Sequence, residues 1–479
     1  MQFLKEEECC AEQQLLPPVS PNGLFFNSSA VSLVILAVFE TEEPISLPSS
    51  RVVHLLDTRL LPVHPRFSSI IVTGEDGVKR WEKVAEVNLQ DHIKTPVFPE
   101  GKSPEFYDRC FQDYFHKISG EKFSEGRPLW EFHLVKYPTL NAAGNVIFKI
   151  HHAIGDGYSL MAAMISCFTR SDDPSLPLTF PKNRIRRSSA AHGRAAFLSR
   201  ALTSAVNTAS DMWFSFSKTK FSEDDLSPIR SGDPAVGSRP VSVVTMTFPL
   251  DDVKEIKGRL GVTVNDVMTG TIFLGTRLYM QEMDPGSQAA ETTAMVLMNT
   301  RMLQSYNSIQ EMAEPKTTLA WGNHFAFLHI TVPKLIGMSD GDELPSRRRA
   351  LEFVRTTSAT IQKKRFSLAI SLTAKLLDLY RKLKGHEATA SYLYKALKST
   401  SMAVTNMVGP LEQMALADQP VKGMYFVVAG TLHDVFVTIV SYMGQLRVSV
   451  VAEKGFIDHD KLKSCIQMAF HHIYESSCH

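Results

Sequence analysis

His152 and Asp156 stand four residues apart in the string Ile150-His151-His152-Ala153-Ile154-Gly155-Asp156-Gly157. An imidazole with an ordinary pKa of about 6.5 takes a proton from a hydroxyl near neutral pH and can return it later. Two roles are open to the carboxylate behind it. It accepts a hydrogen bond from the imidazole, as in a triad, or it folds back into an ion pair that holds the turn. The tightness of the turn favours the second role, because it aims Asp156 poorly at its own histidine. The bland alternative is a core histidine beside a capping aspartate; the whole string together favours catalysis.

The surroundings narrow the chemistry. The run after Gly157 is Tyr158-Ser159-Leu160-Met161, which is not a Gly-x-Ser-x-Gly elbow. The only close cysteine pair, Cys9-Cys10, lacks zinc spacing, and no Gly-rich phosphate or dinucleotide loop is present. No metal site and no resident cofactor are expected. His152 therefore reads as the base for an incoming hydroxyl rather than for an enzyme nucleophile, which implies direct transfer with both substrates bound together.

The elements around this corner follow from pattern. Asn145-Val146-Ile147-Phe148-Lys149-Ile150 is rich in β-branched and aromatic residues and reads as a strand. Side chains alternate on a strand, so His151 and His152 point to opposite faces and take different jobs. Gly155 and Gly157 are expected to loosen the turn, and residues 158–169 form a buried helix. Residues 129–137 and 145–152 read as a hairpin around 141–144. Upstream, Ser103-Pro104 opens a helix with a cap and a first-turn proline, its apolar stripe being Tyr107, Cys110, Phe111, Tyr114, Phe115 and Ile118, and Gly120 its end. Residues 30–39 suggest a core strand.

The first domain is expected within residues 1–178. Residues 179–240 differ. Lys182, Arg184, Arg186, Arg187 and Arg194 form a basic stretch, and an amphipathic segment follows. Phe197, Leu198, Ala201, Leu202, Ala205, Val206, Ala209, Met212, Trp213 and Phe216 share one helical stripe; Ser199, Arg200, Thr203, Ser204, Asn207, Thr208 and Asp211 share the other. A basic tract beside such a helix suits an anionic membrane surface; the alternative is a linker helix packed on the protein. The second domain spans 241–479. There Thr263 and Asp266 look like a capping pair for a helix through Glu282, with Asn265 and Asp266 in its first turn and capping as their favoured role. Residues 424–430, 435–443 and 446–452 read as strands. Met443-Gly444-Gln445-Leu446 is read as a tight turn with Gly at the first central position. Leu462, Cys465, Ile466, Ala469, Phe470 and Ile473 define a last helix. Pattern alone gives an α/β or α+β protein of two domains.

Composition sets limits. The 479 residues carry a formal charge of +1, with 44% hydrophobic and 21% charged residues, values ordinary for a soluble globular protein. That balance gives no global attraction to nucleic acid. Six cysteines, at 9, 10, 110, 167, 465 and 478, form no disulfide framework and suit a reducing, cytosol-facing setting. Lys5-Glu6-Glu7-Glu8 does not read as a signal peptide. No run approaches the roughly 20 apolar residues of a spanning helix, so any membrane contact is expected to be peripheral.

With its flanks, the histidine motif resembles the His-His-x-x-x-Asp-Gly signature of the plant-type wax ester synthase/diacylglycerol acyltransferases, within the CoA-dependent acyltransferase superfamily. Pro18-Val19-Ser20-Pro21, Pro128-Leu129-Trp130-Glu131, Asn265-Asp266-Val267, Asn299-Thr300-Arg301, Gly322-Asn323 and Thr405-Asn406-Met407-Val408-Gly409-Pro410 are similar to other family blocks, in order, over nearly the whole chain. Thr405 stands where the family pattern has Ser. The Asp-Phe-Gly-Trp-Gly block of the related plant alcohol acyltransferases is not found.

The resemblance implies two chloramphenicol-acetyltransferase-like α/β sandwich domains with an active-site tunnel between them. It implies transfer of a long-chain acyl group from acyl-CoA, a co-substrate, to a fatty alcohol or to diacylglycerol. His152 would deprotonate the acceptor hydroxyl, which attacks the thioester carbonyl, and would then reprotonate the leaving CoA thiolate. Thr405 or Asn406 is the candidate donor to the oxyanion, with a turn before Gly409-Pro410 as the equal alternative for both. Asp156 would keep the corner in shape, with Arg301 as a candidate partner. His151 would support the strand or line the tunnel, and Trp130 would shape a substrate channel or sit in the core. Arg347-Arg348-Arg349 and Lys363-Lys364-Arg365 would face CoA phosphates or, the favoured reading, simply solvent. The implied location is the cytosolic face of the endoplasmic reticulum membrane, with plasma membrane and cytoplasm as alternatives. Two other readings stay open: a superfamily transferase acting on a small soluble alcohol or amine, and a non-catalytic lipid-binding protein on the same fold.

Overall fold

The computed structural model describes residues 15–28, 31–181, 194–233, 236, 241–299, 321–335, 346–365 and 369–478. Two large sheets organise them. The first has seven strands in the order Ile93–Lys94, Trp130–Val135, Gly144–His151, Val34–Thr41, Gln419–Ala429, Met414–Leu416 and Thr169–Arg170. The second has six, in the order Phe325–Thr331, Thr293–Asn299, Met402–Val408, Val435–Tyr442, Gln445–Glu453 and Val241–Pro249. A small three-stranded sheet (Leu15–Pro18, Lys79–Lys83, Ser69–Thr73) flanks the first. Seven helices matter below: α1 Pro104–Gly120, α2 Gly157–Ser166, α3 Arg194–Lys220, α4 Val264–Met283, α5 Arg347–Arg365, α6 Ala369–Lys398 and α7 His459–Cys478.

The central strands of the first sheet are buried along their whole length, at every position of both Val34–Thr41 and Gly144–His151. Val34–Thr41 accordingly reads as an almost continuous apolar run, whereas Gly144–His151 buries Asn145, Lys149 and His151 among its apolar residues. Their antiparallel register pairs Val34 with His151 and fixes where the histidine corner emerges. Helix α1 forms as its cap predicts. The Ser103 hydroxyl accepts from the Phe106 N–H, and Tyr107, Phe111, Phe115 and Ile118 are buried.

The two halves of the chain interlock. Strand Gln419–Ala429 comes from the second half but pairs with Val34–Thr41 of the first. Gly423 makes the pairing possible: a Cβ there would lie 2.2 Å from Oε2 of Glu40. The Glu40 carboxylate also pairs with Arg447 of the second sheet. The chain then returns to the second sheet at Val435–Tyr442, which runs parallel to Met402–Val408. The expected strands therefore form, but one of them completes the other sheet.

The turn after Tyr442 corrects the sequence reading. Tyr442 pairs with Gln445, so the two loop residues are Met443 and Gly444, with φ of 47° and 73°. Two left-handed residues make a type I′ turn with the glycine second, not first. Helix α4 is the axis of the second domain. The Thr263 hydroxyl accepts from the Asp266 N–H, and the Asp266 carboxylate accepts from the Thr263 N–H and the Ser358 hydroxyl. The helix packs against α5 and α7, and so close to α7 that a Cβ on Gly275 would lie 2.5 Å from the Ile466 Cα.

Candidate active site

The site grows from the end of strand Gly144–His151. The His152 N–H still continues the ladder, donating to the Leu33 carbonyl at 2.9 Å. The chain then turns, and Asp156 caps α2 by accepting from the Ser159 N–H at 3.0 Å. One wall comes from the N-terminus. Ser20 caps the short helix Pro21–Phe26 and accepts from the Gly23 N–H. That helix lays the Phe26 ring against the His152 imidazole, with centroids 4.8 Å apart.

His151 and His152 diverge, as strand alternation requires. His151 turns into the first domain. Its Nδ1 accepts from the Ala153 N–H at 3.1 Å, and its Nε2 lies 3.3 Å from the Ser32 hydroxyl. Burial, and secondarily the neighbouring His152, holds its pKa down to about 3. It supports the strand and is not among the cavity residues.

His152 faces the second half of the chain. Its Nδ1 lies 2.9 Å from Oδ1 of Asn323, while Nδ2 of Asn323 donates to the His152 carbonyl at 3.0 Å. The second bond fixes the amide orientation, because only the NH₂ group can donate to a carbonyl. Oδ1 can then only accept, so Nδ1 carries the proton and Nε2 carries the lone pair. Burial lowers the His152 pKa below its ordinary value, against the opposing pull of the Asp156 charge and the Asn323 hydrogen bond. The imidazole is therefore neutral near pH 7.

Asn323 belongs to a strap, residues 321–324, that wraps the corner. Nε1 of Trp321 donates to the Ile154 carbonyl at 3.1 Å, and its indole stacks on His64 at 4.6 Å. The Asp156 N–H donates to the Gly322 carbonyl at 3.2 Å, and the Asp156 carboxylate accepts from the His324 N–H at 2.8 Å. Gly322 has φ of 119°, where an L side chain is strained, and an added Cβ would crowd Arg66. Asp156 is thus bound to backbone N–H groups of its own helix and of the strap. Its proposed partner Arg301 lies outside the described residues. A different arginine serves the turn: Nη1 of Arg66 donates to the Ile154 carbonyl at 2.8 Å.

The glycines of the turn work differently from the expectation. Neither Gly155 nor Gly157 has a positive φ. Both are needed for close approach: a Cβ on Gly157 would lie 2.8 Å from Sδ of Met407, and one on Gly155 would lie 2.9 Å from Cβ of Ser159. Gly157 is where the second sheet closes on the corner.

A cavity of about 180 Å³ opens between the two sheets. Its polar lining includes His152, Asp156, Thr405, Asn406, Thr431 and His433; its apolar lining includes Phe26, Ile35, Met295, Leu297, Phe327 and Phe436. No serine or cysteine is among its described lining residues. Thr405 and Asn406 sit within strand Met402–Val408, not in a turn. Nδ2 of Asn406 donates to Oδ1 of Asn265 at 3.1 Å, so the Asn265-Asp266 pair divides its work: Asp266 caps α4 and Asn265 holds Asn406. Trp130 is not in the cavity wall. It is buried, stacked on His92 at 4.2 Å, with Nε1 donating to the Phe67 carbonyl. Arg347, Arg348, Arg349 and Lys363 are exposed on α5. Lys364 is the exception, paired with Asp211 at 3.2 Å. Among the described residues no group of three or more His, Cys, Asp or Glu is arranged to hold a metal ion.

The sequence reading missed Asn323, Phe26 and His433 as site residues. The Gly322-Asn323 and Val19-Ser20-Pro21 blocks were signals for the first two. His433, held by Thr400 at 2.9 Å and pushed down to about 4 by burial, left none.

Comparison with known proteins agrees with this geometry. The family model described as the wax ester synthase/diacylglycerol acyltransferase catalytic domain matches residues 32–268, and that of the WS/DGAT C-terminal domain matches residues 321–474. Wax ester synthase/diacylglycerol acyltransferase 11 of Arabidopsis thaliana is 28% identical, with 94% of this chain and 92% of that protein covered. Wax ester synthase/diacylglycerol acyltransferase 6 of the same plant is 26% identical, over 94% and 91%. Among solved structures, the wax ester synthase/diacylglycerol acyltransferase of Marinobacter aquaeolei VT8 superposes with a TM-score of 0.58 at 14% identity, covering 97% of this chain and all of that one. The first condensation domain of the CDA synthetase gives 0.54 at 15% identity, over 93% and 91%. These structures share the fold. Two family models matching in order along most of the sequence, with relatives aligned nearly end to end, mean that the chain belongs to the wax ester synthase/diacylglycerol acyltransferase family.

Proposed function

We propose that this acyltransferase moves a long-chain acyl group from acyl-CoA to a fatty alcohol or diacylglycerol, with His152 as general base. The observation that carries the reading is the His152–Asn323 clamp inside a cavity with a largely apolar wall. Nε2 of His152 takes the proton of the acceptor hydroxyl. The oxygen attacks the thioester carbonyl, the tetrahedral intermediate collapses, and the CoA thiolate leaves, taking the proton back from Nε2. Both substrates are bound together, and no acyl-enzyme forms. Thr405 or Asn406 donates to the oxyanion, a contact worth on the order of 3 kcal/mol in the transition state. Asp156 holds the corner through backbone N–H groups and favours the imidazolium that forms in the reaction.

The apolar cavity favours an alkyl acceptor over a small polar alcohol or amine. The enzyme works at a membrane surface, peripherally, on the cytosolic face of the endoplasmic reticulum; among the described residues no helix is long and apolar enough to cross a membrane. Incubating purified protein with labelled palmitoyl-CoA and either hexadecanol or diacylglycerol tests the reading. Ester from one or both acceptors is expected. Ester only from short soluble alcohols or amines would overturn the lipid-acceptor assignment, and no ester with any acceptor would leave a binding protein.

A further inference from the structure

Over residues 205–220, helix α3 sits on the protein inside out. Its inward face there is polar. Oδ1 of Asp211 pairs with Nζ of Lys364 at 3.2 Å, the Ser215 hydroxyl lies 3.2 Å from Nδ1 of His329, and Nζ of Lys218 pairs with Oδ1 of Asp224 at 2.6 Å. Thr208, Asp211, Lys218 and Thr219 are all buried. Its outward face is apolar. Val206 and Trp213 are 65% and 67% exposed, and Phe216 is 42% exposed. Trp213, Phe216 and Phe221 form a surface aromatic cluster, with centroids 6.2 and 5.8 Å apart. An ordinary surface helix puts its apolar stripe on the core. Here four polar residues are desolvated to hold the helix the other way, so it is packed on the protein, but by its polar face.

Helix α6, which packs against α3, repeats the arrangement. Leu372, Leu376, Leu379, Tyr380 and Leu383 recur at helical spacing and are 40–73% exposed. Lys375, Lys382, Lys384 and Lys395 are exposed on the same helix, and Lys220 ends α3. Helix α6 carries Lys375, Arg381, Lys382, Lys384, Lys395 and Lys398 against Asp378 and Glu387, in a chain whose total charge is only +1. Its backbone breaks at Gly385, with φ of 86° and ψ of 177°. Beyond the break it turns inward, and Leu397 lines the cavity.

From this we infer that the outward faces of α3 and α6 together form a docking surface for an anionic lipid bilayer, with the Trp213–Phe216–Phe221 cluster at headgroup depth. Exposed aromatic and leucine rows flanked by lysines are the chemistry of an interfacial helix pair. The second half of α6 connects that surface to the cavity wall, so an acceptor delivered from the bilayer arrives beside the site. This rests on the lipid-acceptor reading above for its purpose, but its test does not depend on turnover.

The full chain is sedimented with phosphatidylcholine vesicles, with and without about 30% phosphatidylserine, beside Trp213→Asp/Phe216→Asp and Leu376→Glu/Leu379→Glu. Turnover of a short-chain acyl-CoA with a short alcohol is measured in parallel. Wild type should bind the anionic vesicles better, each variant should bind about tenfold more weakly, and short-substrate turnover should be unchanged. In wild type, brominated acyl chains should quench fluorescence that is lost in Trp213→Phe, a readout that needs no disruptive variant. Unchanged binding by either variant, or no bromine quenching of Trp213, would overturn the proposal. So would a concentration-dependent dimer in lipid-free solution that both variants abolish, since the face would then join two copies. Vesicle binding and Trp213 quenching decide the proposal whatever wild type does with short substrates; failure of the catalytic reading shows separately, as no ester from any acceptor.

Discussion

At the residue scale, the clamp on His152 determines what the imidazole can do. Asn323 holds Nδ1 protonated and so leaves the lone pair on Nε2, and burial keeps the ring neutral. Since the base must be unprotonated, kcat/KM should stay flat on acidification through pH 6.5 and fall only below it. A pH–rate profile whose midpoint lies at or above 6.5 would contradict the burial argument. Asn323→Ala should lower kcat about a hundredfold by freeing the ring from its geometry. Asn323→Asp places a carboxylate beside Nδ1, stabilises the imidazolium and should move the acid limb upward. A merely structural Asn323 would leave that limb in place. The histidine corner was legible because its parts are local, a strand, a turn and a cap within eight residues. Asn323 was legible only as part of the short Gly322-Asn323 block, because its bond to His152 spans 171 residues and no periodicity reports such a contact.

At the element scale, long periodic segments were readable and close approaches were not. Helix α1 with its Ser103 cap, and α4 with its Thr263–Asp266 box, follow from signals within one turn. Gln419–Ala429 was legible as a strand, but its placement beside Val34–Thr41 rests on Gly423 and on pairings almost 400 residues apart in the chain. The apolar stripe of α3 was visible as well, yet only the structure shows which face it turns outward. Two substitutions probe elements directly. Gly157→Ala puts a methyl group 2.8 Å from Sδ of Met407. A methionine can bend away, so stability should fall by less than about 1.5 kcal/mol, while the reshaped cavity floor should cost more in kcat/KM. Activity loss no larger than the stability loss would contradict this. At Met443, held at φ of 47°, Met443→Asn should stabilise by about 1 kcal/mol, because Asn tolerates the left-handed region. An unchanged or lower urea midpoint would contradict that expectation.

At the scale of the whole molecule, the fold buries several imidazoles in the neutral form. Burial holds His64 and His151 down to about 3, and His329 and His433 down to about 4. In the unfolded chain these groups take up protons at about pH 6.5. Between roughly pH 4 and 6.5 the unfolded state therefore binds more protons, and stability rises with pH over that window. Asp434, raised to about 6 by burial and by Glu453, and Glu40, raised by burial, act in the opposite sense but are two groups against four. Denaturant midpoints should fall between pH 7 and pH 5, each histidine contributing up to about 1.4 kcal/mol per pH unit below 6.5. Equal midpoints at the two pH values would mean that these rings are not buried neutral. The same molecular plan puts the catalytic corner in the first half of the chain and its clamp, cavity wall and candidate oxyanion donors in the second, so the site exists only when both are assembled.

The most direct test of the central claim is single-turnover ester formation from labelled palmitoyl-CoA and hexadecanol or diacylglycerol, wild type beside His152→Ala and His152→Gln. If His152 is the base, both variants should still bind acyl-CoA and should form ester about a thousandfold more slowly. Ester formation by either variant within tenfold of wild type would contradict the account.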